Sequence, residues 1–147
     1  MTDLKLVVIG AGSLAFTPGL LAEMATSDIF RSIEIGLVDI DEEKLKIMER
    51  VASRVVDATK AELKIETSTD RRDLLKNADF VIITIAVGGI KGIETDVKVA
   101  EKYGIYHTVA DTVGPAGFSR ALRHVIPMVE ICRDIEKLCP NAIVFNE

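Results

Sequence analysis

Apolar positions in this chain come as short, strand-length runs that alternate with stripes of helical period. The first run, Leu4 to Ile9, stops at Gly10, and a helix is expected within Ser13 to Thr26. Ile33 to Asp39 reads as a second strand ending in an acid. From Leu45 to Val56, apolar residues at 45, 48, 51, 52, 55 and 56 make a helical stripe. Asp41 is placed to cap it, with Glu42 and Glu43 in the first turn. Leu63 to Thr67 alternates as a third strand. Thr69 or Asp70 then caps a brief helix over Arg71 to Lys76, where Arg71 and Arg72 read as solvated surface charges. Ala78 to Val87 is the most apolar strand, suited to the sheet centre with both faces covered, and it ends at Gly88-Gly89. Ile93 to Tyr103 is helical and stops at Gly104. Residues 106–117 form a loop containing Gly114-Pro115, and Phe118 to Leu138 is a long amphipathic helix. Pro127 predicts a kink in it, or two abutting helices. Asn141 to Asn146 is a fifth strand. This order gives an α/β, doubly wound parallel sheet of about five strands, most simply ordered 3-2-1-4-5, and one domain over residues 1–147.

The glycines after the first strand add chemistry to that frame. Gly10 permits a tight turn, Gly12 lets a pyrophosphate approach the backbone, and Ala15 stands where a third small residue packs helix on strand. Free N–H groups and the helix dipole then favour phosphate oxygens. An ordinary glycine turn is the competing reading. Asp39, 24 residues beyond Ala15, argues against it, because an acid near this spacing accepts hydrogen bonds from the adenosine ribose. A carboxylate there repels a 2′-phosphate, so NAD is expected over NADP in a Rossmann-like site. Phe16-Thr17-Pro18-Gly19 leaves the helix start open. Either Thr17 is the N-cap with Pro18 at the first helical position, or a helix from Ser13 is distorted at Pro18. Ligands in open α/β sheets bind outside the carboxyl ends of the strands, which brings Gly88 to the same crevice.

Composition narrows the partners. Net charge is −5, which gives no electrostatic support for nucleic acid or an anionic membrane. The longest apolar run, Phe80 to Val87, is far shorter than the roughly 20 residues of a membrane span. Asp3 and the lack of a basic stretch before a long apolar one give no signal peptide, so a cytoplasmic location is expected. Cys132 and Cys139 lie seven apart on one helical face, read as core residues that cannot bridge. His107 and His124 are isolated, without metal-ligand spacing, and carry no catalytic expectation.

Several stretches together resemble glycoside hydrolase family 4. They are Ile9-Gly-Ala-Gly-Ser-Leu-Ala-Phe-Thr-Pro-Gly-Leu-Leu21, Leu37-Val-Asp-Ile-Asp41, Ala78-Asp-Phe-Val-Ile82, Lys102-Tyr-Gly104, Asp111-Thr-Val-Gly-Pro-Ala-Gly-Phe118 and Arg120-Ala-Leu-Arg123. The resemblance covers essentially this whole chain but only the N-terminal third of a typical member. It implies hydrolysis of O-glycosidic bonds by an exception to the two-carboxylate scheme. NAD⁺ takes hydride from the sugar C3, a divalent metal, usually manganese, polarises the ketone, a base removes the C2 proton, and the C1 substituent leaves. Water then adds and the hydride returns. The expected cofactor-facing residues are Gly10, Gly12, Ser13, Leu14, Asp39, Thr84, Gly88 and Asn146, the last matching an Asn at the family's fifth strand end. Asp111 matches an acidic position that tunes the active-site tyrosine, a supporting role; by itself it reads equally as a loop-capping Asp.

The resemblance also implies what is missing. The family's metal-binding Cys and His, its catalytic Asp and Tyr, and the domain that holds them have no counterpart here, so no metal ligand is expected and this chain alone is expected to be inactive. Members acting on 6-phosphosugars carry Arg where this chain has Ile93, and often where it has Ala86. Without those clamps the α-galacturonidase-like branch and an unphosphorylated hexoside or hexuronide are expected. Exposed edges would favour self-association. Two other classes compete: a dehydrogenase of the lactate/malate kind, which would need a catalytic His and a carboxylate-binding Arg, and a non-catalytic nucleotide-binding module.

Overall fold

The computed structural model describes residues 4–30, 32–108 and 111–147. These residues cluster into two units, one of Met1–Ile85 with Asp134–Glu147 and one of Ala86–Arg133.

The first unit holds the sheet. Strands β1 (Leu4–Ile9), β2 (Ile33–Val38), β3 (Lys64–Ser68), β4 (Phe80–Ile83) and β5 (Ile143–Asn146) lie parallel in the order 3-2-1-4-5, as expected. Because side chains alternate across a strand, the register sorts the apolar residues onto two faces. Leu6 and Val8 share one face with Ile35 and Leu37. Helices α1 (Thr17–Thr26) and α2 (Glu42–Thr59) cover that face with Leu21, Met24, Leu45 and Met48. The other face carries Val7 and Val81. Helix α3 (Arg71–Leu75) lies so close over it that a Cβ on Gly36 would stand 3.2 Å from that of Leu74. Asp41 caps α2 by accepting from the Lys44 N–H, and Asp70 caps α3 by accepting from that of Arg72.

The second unit consists of helix α4 (Gly89–Glu101), the connection after it, and most of α5 (Gly114–Leu138). Asp96 on α4 is 4% exposed and takes two hydrogen bonds from the Arg123 guanidinium, at 2.7 and 2.6 Å. This bidentate pair is the main polar tie between α4 and α5.

Several expectations change. The sheet centre is β1, whose last four residues are buried; Ala78 to Val87 yields only the four-residue β4, with Phe80 and Ile82 half-buried. β4 ends at Ile83, and consecutive positive φ angles follow later in the chain at Gly88 (84°) and Gly89 (51°). Both long helices start earlier than expected, α4 at Gly89 and α5 at Gly114. Gly114-Pro115-Ala116-Gly117 therefore opens a helix instead of closing a loop, and Val109 and Ala110 of that loop lie outside the described residues. Glycine is needed at 117 because a Cβ would stand 2.6 Å from the Thr112 carbonyl carbon. α5 runs through Pro127 as one helix. Arg71 and Arg72 are not merely solvated: both bind the carboxylate of Asp134. Burial pushes that carboxyl up, and the hydrogen bonds from Arg72 and Arg71 outweigh it, leaving the value lowered. Cys139 is buried but Cys132 is exposed, so the two thiols do not share the core; burial pushes the Cys139 thiol up.

Candidate dinucleotide site

The site grows from the end of β1. At Gly10 the backbone enters the left-handed region (φ 96°), and a Cβ would stand 2.5 Å from the Thr84 carbonyl oxygen. Only glycine suits both constraints. The N–H groups of Gly10 and Ala11 both donate to the Val38 carbonyl at 2.9 Å, which fixes the turn to the end of β2.

Asp39 continues that connection. Its Oδ2 accepts from the Gly12 N–H at 2.8 Å, and its Oδ1 accepts from the Asp41 N–H at 2.9 Å. Gly12 is buried against it: a Cβ there would fall 2.6 Å from Oδ2. Each carboxylate oxygen keeps a lone pair beyond these bonds, so the half-buried group can take further donors. Beside it, Lys44 pairs with Asp41 at 2.9 Å, and its hydrogen bond holds the Asp41 carboxyl below the usual carboxylate range.

Between Gly12 and α1 the chain makes a wide turn. Ser13 anchors it: its hydroxyl accepts from the Phe16 N–H at 3.3 Å and its carbonyl from that of Thr17 at 3.1 Å. Among the described residues, no acceptor stands opposite the N–H groups of Leu14 and Ala15. The helix start is thus the extended form of the two alternatives, shifted by one residue. Phe16 is the N-cap without a side-chain hydrogen bond, and Thr17 is the first helical residue. Thr17 is fully buried and its hydroxyl has no hydrogen-bond partner among the described residues.

The first unit therefore sets Gly10 against Thr84 and Gly12 against Asp39, with Ser13 and Leu14 on the adjoining turn. Asn146 pairs in register with Ile83, the residue before Thr84. Gly88 and Asp111 belong to the second unit. Gly88 is the N-cap of α4, and Asp111 is ion-paired with Arg120. Sequence reasoning missed the roles of Arg123 and His124. Val87, the residue before the double glycine, donates its N–H to His124 Nε2 at 3.0 Å, and its carbonyl accepts from Arg123 Nε at 3.4 Å. Arg123 was visible as part of the Arg-Ala-Leu-Arg stretch; nothing in the spacing of His124 marked it. No three of His, Cys, Asp or Glu group as metal ligands among the described residues, and no described helix is long and apolar enough to cross a membrane.

Comparison with known proteins gives these features a family setting. Residues 5–147 match the family 4 glycosyl hydrolases. An alpha-galacturonidase of Thermoanaerobacter italicus is 36% identical over 97% of this chain and 30% of its own length. An alpha-galactosidase of Bacillus subtilis is 34% identical over 97% of this chain and 33% of its own. The crystal structure of the 6-phospho-beta glucosidase from Thermotoga maritima, solved with manganese, NAD⁺ and glucose-6-phosphate, superimposes with a TM-score of 0.85 at 33% identity. It covers 99% of this chain and 34% of that one. The chain spans about a third of the length of the relatives it matches.

Proposed function

The chain belongs to family 4 of the glycosyl hydrolases, and from that premise we propose that it is the NAD-binding domain of a glycosidase working by oxidation and elimination. The observation that carries this reading is the cradle of Gly10, Gly12 and Asp39. Its floor has no room for a Cβ, and its rim carries a carboxylate. When bound, NAD⁺ supplies an acceptor for hydride from a sugar carbon.

The chain's own residues do the holding. Gly10 and Gly12 keep side chains off the floor, and the N–H groups of Leu14 and Ala15 with the Ser13 hydroxyl offer donors to a pyrophosphate. Asp39 accepts from ribose hydroxyls through the lone pairs its backbone bonds leave over. A 2′-phosphate would set charge against charge there, which favours NAD over NADP. Thr84 and Asn146 at the strand ends and Gly88 at the N-cap of α4 remain proposed contacts, and Asp111, held by Arg120, a supporting residue. Manganese has no such fit: the described residues group no set of ligands for it, and no step is assigned to a metal in this chain.

The proposed substrate of the whole glycosidase is an unphosphorylated hexoside or hexuronide. Ile93 and Ala86 stand where an arginine clamp for a 6-phosphate is absent. The test is incubation of the purified chain with NAD⁺, manganese and aryl glycosides, alongside equilibrium dialysis of NAD⁺. Retention of NAD⁺ without turnover is expected. Metal-dependent hydrolysis by these 147 residues contradicts the proposal, as does failure to retain NAD⁺.

A further inference from the structure

A lysine stem starts beside Asp39. Lys44 lies in the first turn of α2, and a Cβ on Gly12 would stand 3.0 Å from the Lys44 Cβ and 2.6 Å from Asp39 Oδ2. Lys44 is also the first basic residue after β2, and its flexible four-carbon stem carries an ammonium with three donors. Turned toward Asp39, that ammonium would meet the 2′-phosphate of NADP, a task that an arginine near this strand end performs in NADP-binding sites.

The ammonium is held elsewhere. Nζ pairs with Asp41 Oδ2 at 2.9 Å, while Oδ1 of the same carboxylate accepts the Lys44 N–H at 3.1 Å. Asp41 is in turn placed by Asp39, whose Oδ1 accepts the Asp41 N–H at 2.9 Å. One carboxylate thus grips Lys44 at its backbone and at its side-chain tip, and a second carboxylate fixes the first. Donating to Asp41 holds the Lys44 ammonium above its ordinary value, and the charges of Asp41 and then of Asp39 act in the same direction. The next cation along α2, Lys46, is turned to Glu42 at 2.7 Å.

We infer that Asp41 is a positioning residue that keeps Lys44 away from the 2′ position of the bound ribose, so that Asp39, Asp41 and Lys44 together set the choice between NAD and NADP. The inference rests on the reading of the chain as NAD-binding. Asp39 repels a 2′-phosphate directly, and Asp41 withholds a cation that would offset the repulsion. Both partners of the ion pair are open to solvent, the lysine side chain at 57% and the aspartate at 38%, so the hold is that of a surface pair and its effect is modest.

The experiment is calorimetric titration with NAD⁺ and with NADP⁺, read as the ratio of the two affinities so that a general loss of binding cancels. The variants are Asp41→Asn, Lys44→Gln and the two combined. Asparagine caps a helix as well as aspartate does, and Asp41→Ser is run beside it as a second neutral cap. Asp41→Asn should move the ratio toward NADP⁺ about two- to fivefold, the worth of an exposed ion pair. In the Lys44→Gln background the same substitution should leave the ratio where it was. In an Asp39→Ala background, adding Asp41→Asn should produce a preference for NADP⁺. A ratio that neither Asp41→Asn nor Asp41→Ser moves overturns the inference. So does an equal shift with and without Lys44, because Asp41 would then act through its own charge alone. Retained NAD⁺ with an unmoved ratio defeats this inference and leaves the NAD-binding reading standing; if neither dinucleotide is retained by the wild type, that reading fails and takes the inference with it.

Discussion

The N–H of Gly12 donates to Oδ2 of Asp39 over 2.8 Å, so one carboxylate joins the turn after the first strand to the end of the second. The same oxygen lies 2.6 Å from where a Cβ on Gly12 would stand. The contact is both a bond and a steric limit. Gly12→Ala should destabilise the chain by about 1–3 kcal/mol through overpacking. Gly10→Ala should cost more, because its Cβ would meet the Thr84 backbone at a positive φ. Thermal unfolding followed by circular dichroism ranks the two. In an Asp39→Ala background the cost of Gly12→Ala should shrink, and an unchanged cost would show that Asp39 is not the obstacle.

Thr17 makes the opposite case, a polar group that gains nothing. Its hydroxyl is buried and without a hydrogen-bond partner among the described residues. Thr17→Val keeps the shape and removes the orphan oxygen, so it should leave the melting temperature unchanged or raise it. A loss above about 1 kcal/mol would mean that the hydroxyl has a partner after all.

In the second unit, the buried carboxylate of Asp96 should be costly to neutralise. The hydrogen bonds from Arg123 hold its carboxyl below the ordinary value of 3.8, against a burial effect that raises it. Its stabilisation is complete above that value and is lost as the pH falls through the lower folded value. Asp96→Asn should therefore cost about 3 kcal/mol near neutral pH, leaving Arg123 without its counter-charge. Denaturant titrations should show the gap between wild type and variant closing below about pH 3.8. A gap that is independent of pH would contradict the ion-pair account.

The first two strands were legible in the sequence because their apolar runs are ended by Gly10 and by Asp39. In the cradle, Gly10 and Gly12 were legible because their spacing encodes a local turn, and Asp39 because an acid at the end of the second strand is itself a sequence signal, although it lies 27 residues from Gly12. What escaped lay between distant residues or at helix starts. The grip of Arg123 and His124 on Val87 joins positions 36 and 37 residues apart. Gly114-Pro115 looked like loop punctuation, although proline is also favoured in a first helical turn. Arg71 could not be assigned its partner, because Asp134 lies 63 residues further on.

Exposed apolar side chains predict self-association. Phe118, Leu122, Val125 and Val129 recur at helical spacing on α5 and are all exposed, and Ile143, Val144 and Phe145 of β5 are exposed as well. Light scattering should show mass above the monomer that rises with concentration, and Leu122→Glu with Val125→Lys should reduce it. A monodisperse monomer at high concentration would contradict this.

The central claim is that Asp39 receives the ribose of NAD, and calorimetric titration of the wild-type chain and Asp39→Ala with NAD⁺ and NADP⁺ tests it most directly. The wild type should bind NAD⁺ at least about tenfold more tightly than NADP⁺, a difference of about 1.4 kcal/mol. Asp39→Ala should weaken NAD⁺ binding and remove the preference. Equal affinity for both cofactors in the wild type, or a preference that survives in Asp39→Ala, would contradict the account.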